Sequence, residues 1–330
     1  MRLFIGLTAL SVCFLILCSD PAFAQTPSTS NSLASLTITV TNSQGELVGG
    51  LTRDDFTIVD EKVTRPILAF ENADEPMDVG ILVDISGSMN STEVRDIAGR
   101  NQIVKSLSTF VQLSNQKNHY FLMAFGNKLH LLSDWTNDIG PSLARIPIAS
   151  DKAHTAFYDA LAASIDKVKT GTQRKRVVLV ISDGLDSGSN LKPEEIRKLL
   201  KANDVMVYFL AVIGLPTSIG SIHGLPVPLQ SLANARLITG GTQALIEFAE
   251  ITGGRALLVK DDKQMNGLAN QIATELRHQY RVEFEPDSGT SRKWRRLKAT
   301  IKPRANAPKE FRNLKLRVRQ GYYSAADGKQ

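Results

Sequence analysis

The stretch that decides the fold is Val79-Gly80-Ile81-Leu82-Val83-Asp84-Ile85-Ser86-Gly87-Ser88. Its first part, residues 79–83, is a continuous apolar run, which predicts a buried strand. A helical pattern follows over residues 93–113, so the polar residues 84–88 lie between a strand and a helix. Because ligands of open α/β sheets bind beyond the carboxyl ends of the strands, we expect a site at this segment.

The sequence downstream repeats this alternation of apolar strands and helices. Strands are predicted at residues 119–125, 128–132, 177–181, 205–212 and 256–259, and helices at 156–168, 193–202, 242–251 and 264–279. Continuous apolar strands between helices are typical of a mainly parallel sheet that helices cover on both faces. We therefore predict a doubly wound, Rossmann-like α/β domain.

Shorter strand patterns flank this domain, at residues 36–41, 56–59 and 67–70 before it and at 280–285, 297–301 and 314–318 after it. We expect the two flanks to pair into one small, discontinuous β domain, which would bring the chain ends together. The expected organisation is a signal peptide (1–24), a flexible leader (25–34), an N-terminal β segment (35–76), the α/β domain (77–262), a connecting helix (263–279) and a C-terminal β segment (280–324).

The first 24 residues have the features of an export signal. Arg2 provides a positive start, residues 3–17 form an apolar run, and Ala22-Phe23-Ala24 fits the small-x-small rule, so we expect cleavage after Ala24. A membrane anchor is the alternative, but the run is shorter than about 20 residues. Because Cys13 and Cys18 both lie in this signal, the mature chain is expected to have no thiol and no transmembrane span, and to be secreted or periplasmic.

Two further segments leave alternatives open. Residues 214–241 are rich in Gly and Pro and form either a lid or partner-contact loop or a packed surface excursion. Residues 292–319 are rich in Arg and Lys, but Lys315, Arg317 and Arg319 alternate with Leu314, Leu316 and Val318, as in a half-buried strand with a solvated outer face. We expect no nucleic-acid binding, and contact with an anionic envelope surface is the alternative.

The residues after the first core strand offer oxygen ligands. Asp84 supplies a carboxylate, Ser86 and Ser88 supply hydroxyl groups, and Gly87 permits the tight turn that lets them converge. Oxygen-only ligands suit a hard divalent cation, so the sequence predicts a Mg²⁺ site in which Mn²⁺ is a possible substitute.

This D-x-S-x-S pattern resembles the metal-ion-dependent adhesion site of the von Willebrand factor type A (VWA) family. Thr155, within residues 154–160, resembles that family's second-loop threonine, and Asp183, in Ser182-Asp183-Gly184, resembles the aspartate after its fourth strand. The resemblance implies that Ser86, Ser88 and Thr155 contact the ion nearly directly and that Asp84 and Asp183 act largely through water. It also implies an open position for an acidic group of an unidentified partner protein. His154 departs from the pattern, because relatives usually carry Gly there.

The resemblance extends over about residues 35–324. Residues 51–56, 67–70, 252–255, 276–280 and 321–323 are similar to a bacterial VWFA-related subgroup often met in Acidobacteria, whose members have no assigned function. We therefore expect an exported, adhesion-type binding module. The alternative is a scaffold of a cell-envelope assembly in which the metal is mainly structural.

An enzyme is the third hypothesis, because Ser86 and His154 could belong to a hydrolytic triad. The local sequence is not the G-x-S-x-G of an α/β-hydrolase, and Asp84 would repel a developing oxyanion. We predict that the protein has no catalytic residues.

Overall fold

A computed structural model describes residues 33–72, 74–87, 89, 97–148, 154–213, 240–287, 293–302, 311 and 313–324. Its strands are β1 (Ala34–Thr41), β2 (Phe56–Asp60), β3 (Val63–Arg65), β4 (Ile67–Glu71), β5 (Met77–Asp84), β6 (His119–Phe125), β7 (Leu129–Thr136), β8 (Lys175–Ser182), β9 (Met206–Val212), β10 (Ala256–Val259), β11 (Tyr280–Phe284), β12 (Trp294–Ile301), β13 (Lys315–Arg317) and β14 (Gly321–Tyr323). Its helices are α1 (Ile97–Leu113), α2 (Gly140–Leu143), α3 (Phe157–Val168), α4 (Pro193–Ala202), α5 (Gly240–Thr252) and α6 (Asp262–Arg277).

The central sheet has six strands in the order β10-β9-β8-β5-β6-β7. All neighbours run parallel except β7, which is antiparallel to β6. Every residue of β5 is buried, because helices cover both faces of the sheet. One face packs against α1 and α6 through side chains such as Phe110 and Ile272, and the other packs against α3, α4 and α5 through Phe157, Ile196 and Phe248. The predicted doubly wound α/β fold is confirmed.

The two flanks form two antiparallel four-stranded sheets, with the orders β13-β1-β11-β4 and β14-β12-β2-β3. Each sheet combines strands from before and after the central domain, so the predicted pairing of the flanks is confirmed. We call these eight strands the β module. Tyr280 lies in its core, where its ring packs with Phe56 and Phe70. Its hydroxyl donates to the Val48 carbonyl at 2.8 Å and accepts from the Leu51 amide at 3.2 Å.

Some elements differ from the predictions. Strands β3 and β14 and the helical turn α2 were not predicted, because three or four residues are too few to show a period. The connecting helix ends at Arg277 instead of Gln279. The predicted signal peptide, and residues 214–239 of the predicted insertion, lie outside the described residues. Among the helices that are described, none combines the length and hydropathy needed to cross a bilayer.

A buried polar network joins the β module to the α/β domain. Tyr208 of β9 donates its hydroxyl hydrogen to Glu275 of α6 at 2.6 Å, and Arg317 of β13 also pairs with Glu275. Gln279 donates both to Thr39 of β1 at 2.9 Å and to the Tyr208 hydroxyl at 3.0 Å. Four elements from distant parts of the chain therefore meet in one hydrogen-bonded cluster. This cluster fixes the position of the β module on the α/β domain.

The turn between α5 and β10 is the second point of attachment. Gly253 has a φ of +78°, and a Cβ there would lie 2.6 Å from the Arg319 amide nitrogen. The Gly253 carbonyl accepts from Arg317 Nε at 3.2 Å, and the Ile251 carbonyl accepts from the Gln320 amide at 3.2 Å. The C-terminal segment thus packs directly on backbone that has no room for a side chain.

We predict that Gly253→Ala destabilises the protein by about 1–3 kcal/mol, because alanine must adopt a left-handed backbone and also displace residues 318–319. The measurement is the free energy of unfolding in urea. Gly267→Ala is the matched control, since open space surrounds that helical glycine. The control should be stabilised by roughly 0.5–1 kcal/mol. Equal effects of the two substitutions would contradict the proposed packing.

Candidate metal centre

The fold brings three loops to the carboxyl edge of the central sheet. Asp84 ends β5, Asp183 directly follows β8, and Thr155 lies two residues before α3. Strands β5 and β8 are parallel neighbours, with Val83 opposite Ile181, so their ends must lie together. The Phe125 carbonyl accepts from the Ile85 amide, and the adjacent Gly126 carbonyl accepts from the Ala156 amide, both at 2.8 Å. The end of β6 therefore ties the Asp84 loop to the Thr155 loop.

All four predicted site residues that the structure describes are buried. The exposed fraction is 2% for Asp84, 0% for Ser86, 4% for Thr155 and 8% for Asp183. Ser88, the remaining predicted ligand, lies outside the described residues. Four polar side chains with so little contact with water need partners within the protein or in a bound group.

The Asp84 carboxylate lies at the centre of these groups. Its Oδ1 accepts from the Ser86 amide at 2.9 Å, and its Oδ2 accepts from the Ser182 hydroxyl at 2.7 Å. Burial raises the pKa of Asp84 to about 7, and the negative charge of Asp183 adds to this effect, whereas the hydrogen bonds from the two serines oppose it. In the protein alone, the charged form of this carboxylate is therefore less favoured than it is in water.

The turn after Asp183 depends on a glycine. Gly184 has a φ of +74°, and a Cβ there would lie 2.6 Å from the Gly241 carbonyl oxygen at the start of α5. The Gly184 amide donates to the Ser182 hydroxyl and the Leu185 amide donates to Asp183 Oδ1, both at 2.9 Å. Only glycine fits this close approach, which explains the Ser-Asp-Gly sequence at this strand end.

The donor chemistry fits a hard divalent cation. Asp84 and Asp183 are carboxylates, and Ser86 and Thr155 are hydroxyl donors, which are the oxygen groups that Mg²⁺ and Mn²⁺ accept. Within the described part of the chain, no three His, Cys, Asp or Glu side chains cluster as a metal site. A cation at this edge would therefore depend on the hydroxyl groups as well as on the two carboxylates.

The arrangement of Ser86 differs from that of a nucleophilic serine. Ser86 is fully buried, whereas His154 is exposed. A nucleophile needs a base within hydrogen-bonding reach and access to its substrate. The burial of Ser86 therefore disfavours the hydrolase hypothesis.

Several cations of the basic segment form ion pairs inside the fold. Arg295 contacts Asp60 and Asp287, both at 2.7 Å, Arg317 pairs with Glu275, and Arg319 contacts Asp204 at 2.7 Å. The outer side chains Lys298, Lys302 and Lys315 are exposed. Part of the positive charge in residues 292–319 thus holds the β module together and against the α/β domain.

Comparison with known families gives a match within the central α/β domain. Residues 79–185 match the von Willebrand factor type A domain. Residues 79–185 are therefore similar to a family of protein-interaction and adhesion modules. No curated protein is significantly similar in sequence. The similarity of the flanks to the bacterial subgroup remains a prediction.

Three solved structures are similar to parts of this chain. BatB from Bacteroides thetaiotaomicron is 16% identical, with 60% of this chain and 98% of that chain covered and a TM-score of 0.44. The PilB minor pilin from Streptococcus sanguinis is 12% identical, with 62% of each chain covered and a TM-score of 0.43. Proximal thread matrix protein 1 from the mussel byssus is 14% identical, with 71% of this chain and 51% of that chain covered and a TM-score of 0.47.

We predict that, without divalent cations, Asp84 makes the protein less stable as the pH rises from about 4 to about 7. The folded-state pKa of about 7 exceeds the ordinary value of 3.8, so the folded protein binds this proton more tightly than the unfolded chain does. The free energy of unfolding therefore falls through this window. Urea unfolding in chelator, from pH 4.5 to 8, measures the effect.

Asp84→Asn should remove this part of the pH dependence, because an amide does not titrate. Asp166→Asn is the control, since that carboxylate is 65% exposed. If the unfolding free energies of the wild type and Asp84→Asn run parallel between pH 4.5 and 8, the folded-state pKa of Asp84 is not raised.

Proposed function

We propose that this protein is a metal-ion-dependent binding module, which uses a divalent cation at the carboxyl edge of the central sheet to capture an acidic group of a partner protein. The observation that carries the proposal is the buried Asp84 carboxylate beside Asp183. Desolvation and mutual repulsion disfavour two charges here. A cation would offset both effects, because an opposite charge favours the ionised carboxylate.

Mg²⁺ is the proposed ion, with Mn²⁺ as the possible substitute. Ser86 and Thr155 would hold it through their hydroxyl groups, Asp84 and Asp183 would act largely through water, and Ser88 would complete the set by its resemblance to the family motif. When bound, such an ion supplies an electrophilic position that a carboxylate of another molecule can occupy.

The setting of this activity is part of the proposal. Cleavage after Ala24 would export the mature chain, so the partner would be a secreted or periplasmic protein. Lys298 and Lys315, the exposed lysines of β12 and β13, would contact an anionic envelope surface. The partner needs an acidic side chain that can reach the ion.

A second candidate is a scaffold of a cell-envelope assembly in which the ion is mainly structural. The observation that favours it is the burial of the site, since even Asp183 is only 8% exposed. An ion in such a position would stabilise the loops without contacting a partner. The β module would then provide the contact surface.

We predict that calorimetry detects one Mg²⁺ or Mn²⁺ ion per chain and that Asp84→Ala abolishes this binding. Ser182→Ala should weaken binding roughly 10-fold or more, because it removes the hydrogen bond that orients Asp84. Asp166→Ala, in an exposed carboxylate, should bind as the wild type does. Absence of binding in the wild type, or unchanged binding in Asp84→Ala, would refute the metal assignment.

Affinity capture from the native envelope separates the two candidate functions. A binding module should retain its partner in Mg²⁺ and lose it in chelator, and Asp84→Ala should behave like the chelated protein. A scaffold with a structural ion should keep its partners after chelation as long as thermal denaturation shows that the fold persists.

A further inference from the structure

The loop between β8 and α4 is hydrogen-bonded to the residues that precede α3. The Ser187 hydroxyl accepts from the Thr155 amide at 3.0 Å. In return, the Thr155 carbonyl accepts from the Ser187 amide at 2.9 Å and from the Gly188 amide at 3.0 Å. Both backbone groups of Thr155 are therefore held by this loop, which continues directly from Asp183.

Asp186 extends this contact to the start of α3. Its Oδ1 accepts from the Phe157 amide at 2.9 Å and from the Tyr158 amide at 3.4 Å. These are the first two amides of the helix, which have no partner within the helix itself. The Ser189 hydroxyl accepts from the Tyr158 amide at 3.0 Å and donates to Asp186 Oδ1. We call residues 186–189 the Thr155 clamp.

The charge of Asp186 has a second consequence. The N-terminus of a helix carries a partial positive charge, which repels a cation nearby. Helix α3 begins two residues after Thr155, so this repulsion would act at the candidate metal centre. The Asp186 carboxylate lies on the first amides of α3 and therefore offsets it.

The same loop is held at its far end by a carboxylate of α3 that does not contact Thr155. Asp159 Oδ2 accepts from the backbone and side-chain nitrogens of Asn190, both at 3.0 Å. Asp159 Oδ1 accepts from the Leu191 amide at 2.9 Å. Asp159 and Asp186 thus make comparable contacts between the same two elements, and only Asp186 belongs to the clamp.

We propose that the Thr155 clamp sets the cation selectivity of the site, favouring Mg²⁺ over Ca²⁺. This inference rests on the proposed metal-dependent function. Mg²⁺ requires near-ideal octahedral geometry at about 2.0–2.1 Å, whereas Ca²⁺ accepts about 6–8 ligands at longer distances in flexible sites. A threonine whose amide and carbonyl are both fixed cannot move outward for the larger ion. Ser187 and Asp186 are therefore positioning residues.

The test is calorimetry of Mg²⁺ and of Ca²⁺ binding to the full chain and its variants. Ser187→Ala and Asp186→Ala should each weaken Mg²⁺ binding roughly 10-fold and weaken Ca²⁺ binding less, so that the Mg²⁺/Ca²⁺ affinity ratio falls. Asp159→Ala loses the three hydrogen bonds of the far end and should keep the wild-type ratio. Asp186→Asn retains an acceptor without the charge, so it should weaken both ions alike.

The proposal is overturned if Ser187→Ala and Asp186→Ala keep the wild-type ratio, or if Asp159→Ala lowers the ratio as much as they do. Thermal denaturation establishes that each variant is folded. Hydrogen exchange of the Thr155 amide in metal-free protein tests the clamp itself, and Ser187→Ala should exchange faster than the wild type. If the wild type binds Mg²⁺ and the variants keep its Mg²⁺/Ca²⁺ affinity ratio, only the role of the clamp is rejected. If the wild type binds neither ion, the proposed function is rejected as well.

Discussion

The candidate site depends on the burial of one carboxylate at the end of the central strand. Every residue of β5 is buried, and the strand delivers Asp84 to a place where water cannot solvate its charge. Removing a charge from water is costly unless other groups replace the lost interactions. Ser86 and Ser182 replace part of them, and the raised pKa of Asp84 shows that they do not replace all. The loops around Asp84 therefore surround a carboxylate whose lost solvation is only partly replaced.

The β module reaches this arrangement only indirectly, through the opposite end of the sheet. Glu275 lies in the last turn of α6 and receives hydrogen bonds from Tyr208 and Arg317. Helix α6 packs along α1, and α1 follows the Asp84 loop in the chain. The module therefore anchors the opposite end of the α/β domain, while leaving the carboxyl edge to the three site loops. This division separates the groups that fix the architecture from those that carry the chemistry.

Elements with a clear local pattern and the pairing of the two flanks could be predicted, whereas short strands that depend on a distant partner could not. Strands such as β6 and β10 consist almost entirely of apolar residues, so their bounds were predicted correctly. Asp84, Thr155 and Asp183 were identified because each lies at a strand end or before a helix, in a recognisable motif. Strand β14 has three residues and exists only because β12 pairs with it.

The residues that support the site through hydrogen bonds could not be predicted from local sequence either. Ser182 and Ser187 bind groups 98 and 32 positions away in the chain, and a short-range pattern carries no information about such partners. Their role follows from tertiary structure, since parallel strands place the ends of β5 and β8 side by side. A motif can therefore name the groups that touch an ion, whereas the rigidity with which they are held is a property of the fold. For a small cation that rigidity matters as much as the ligands, because misplaced oxygens lose both the ion and the discrimination between ions.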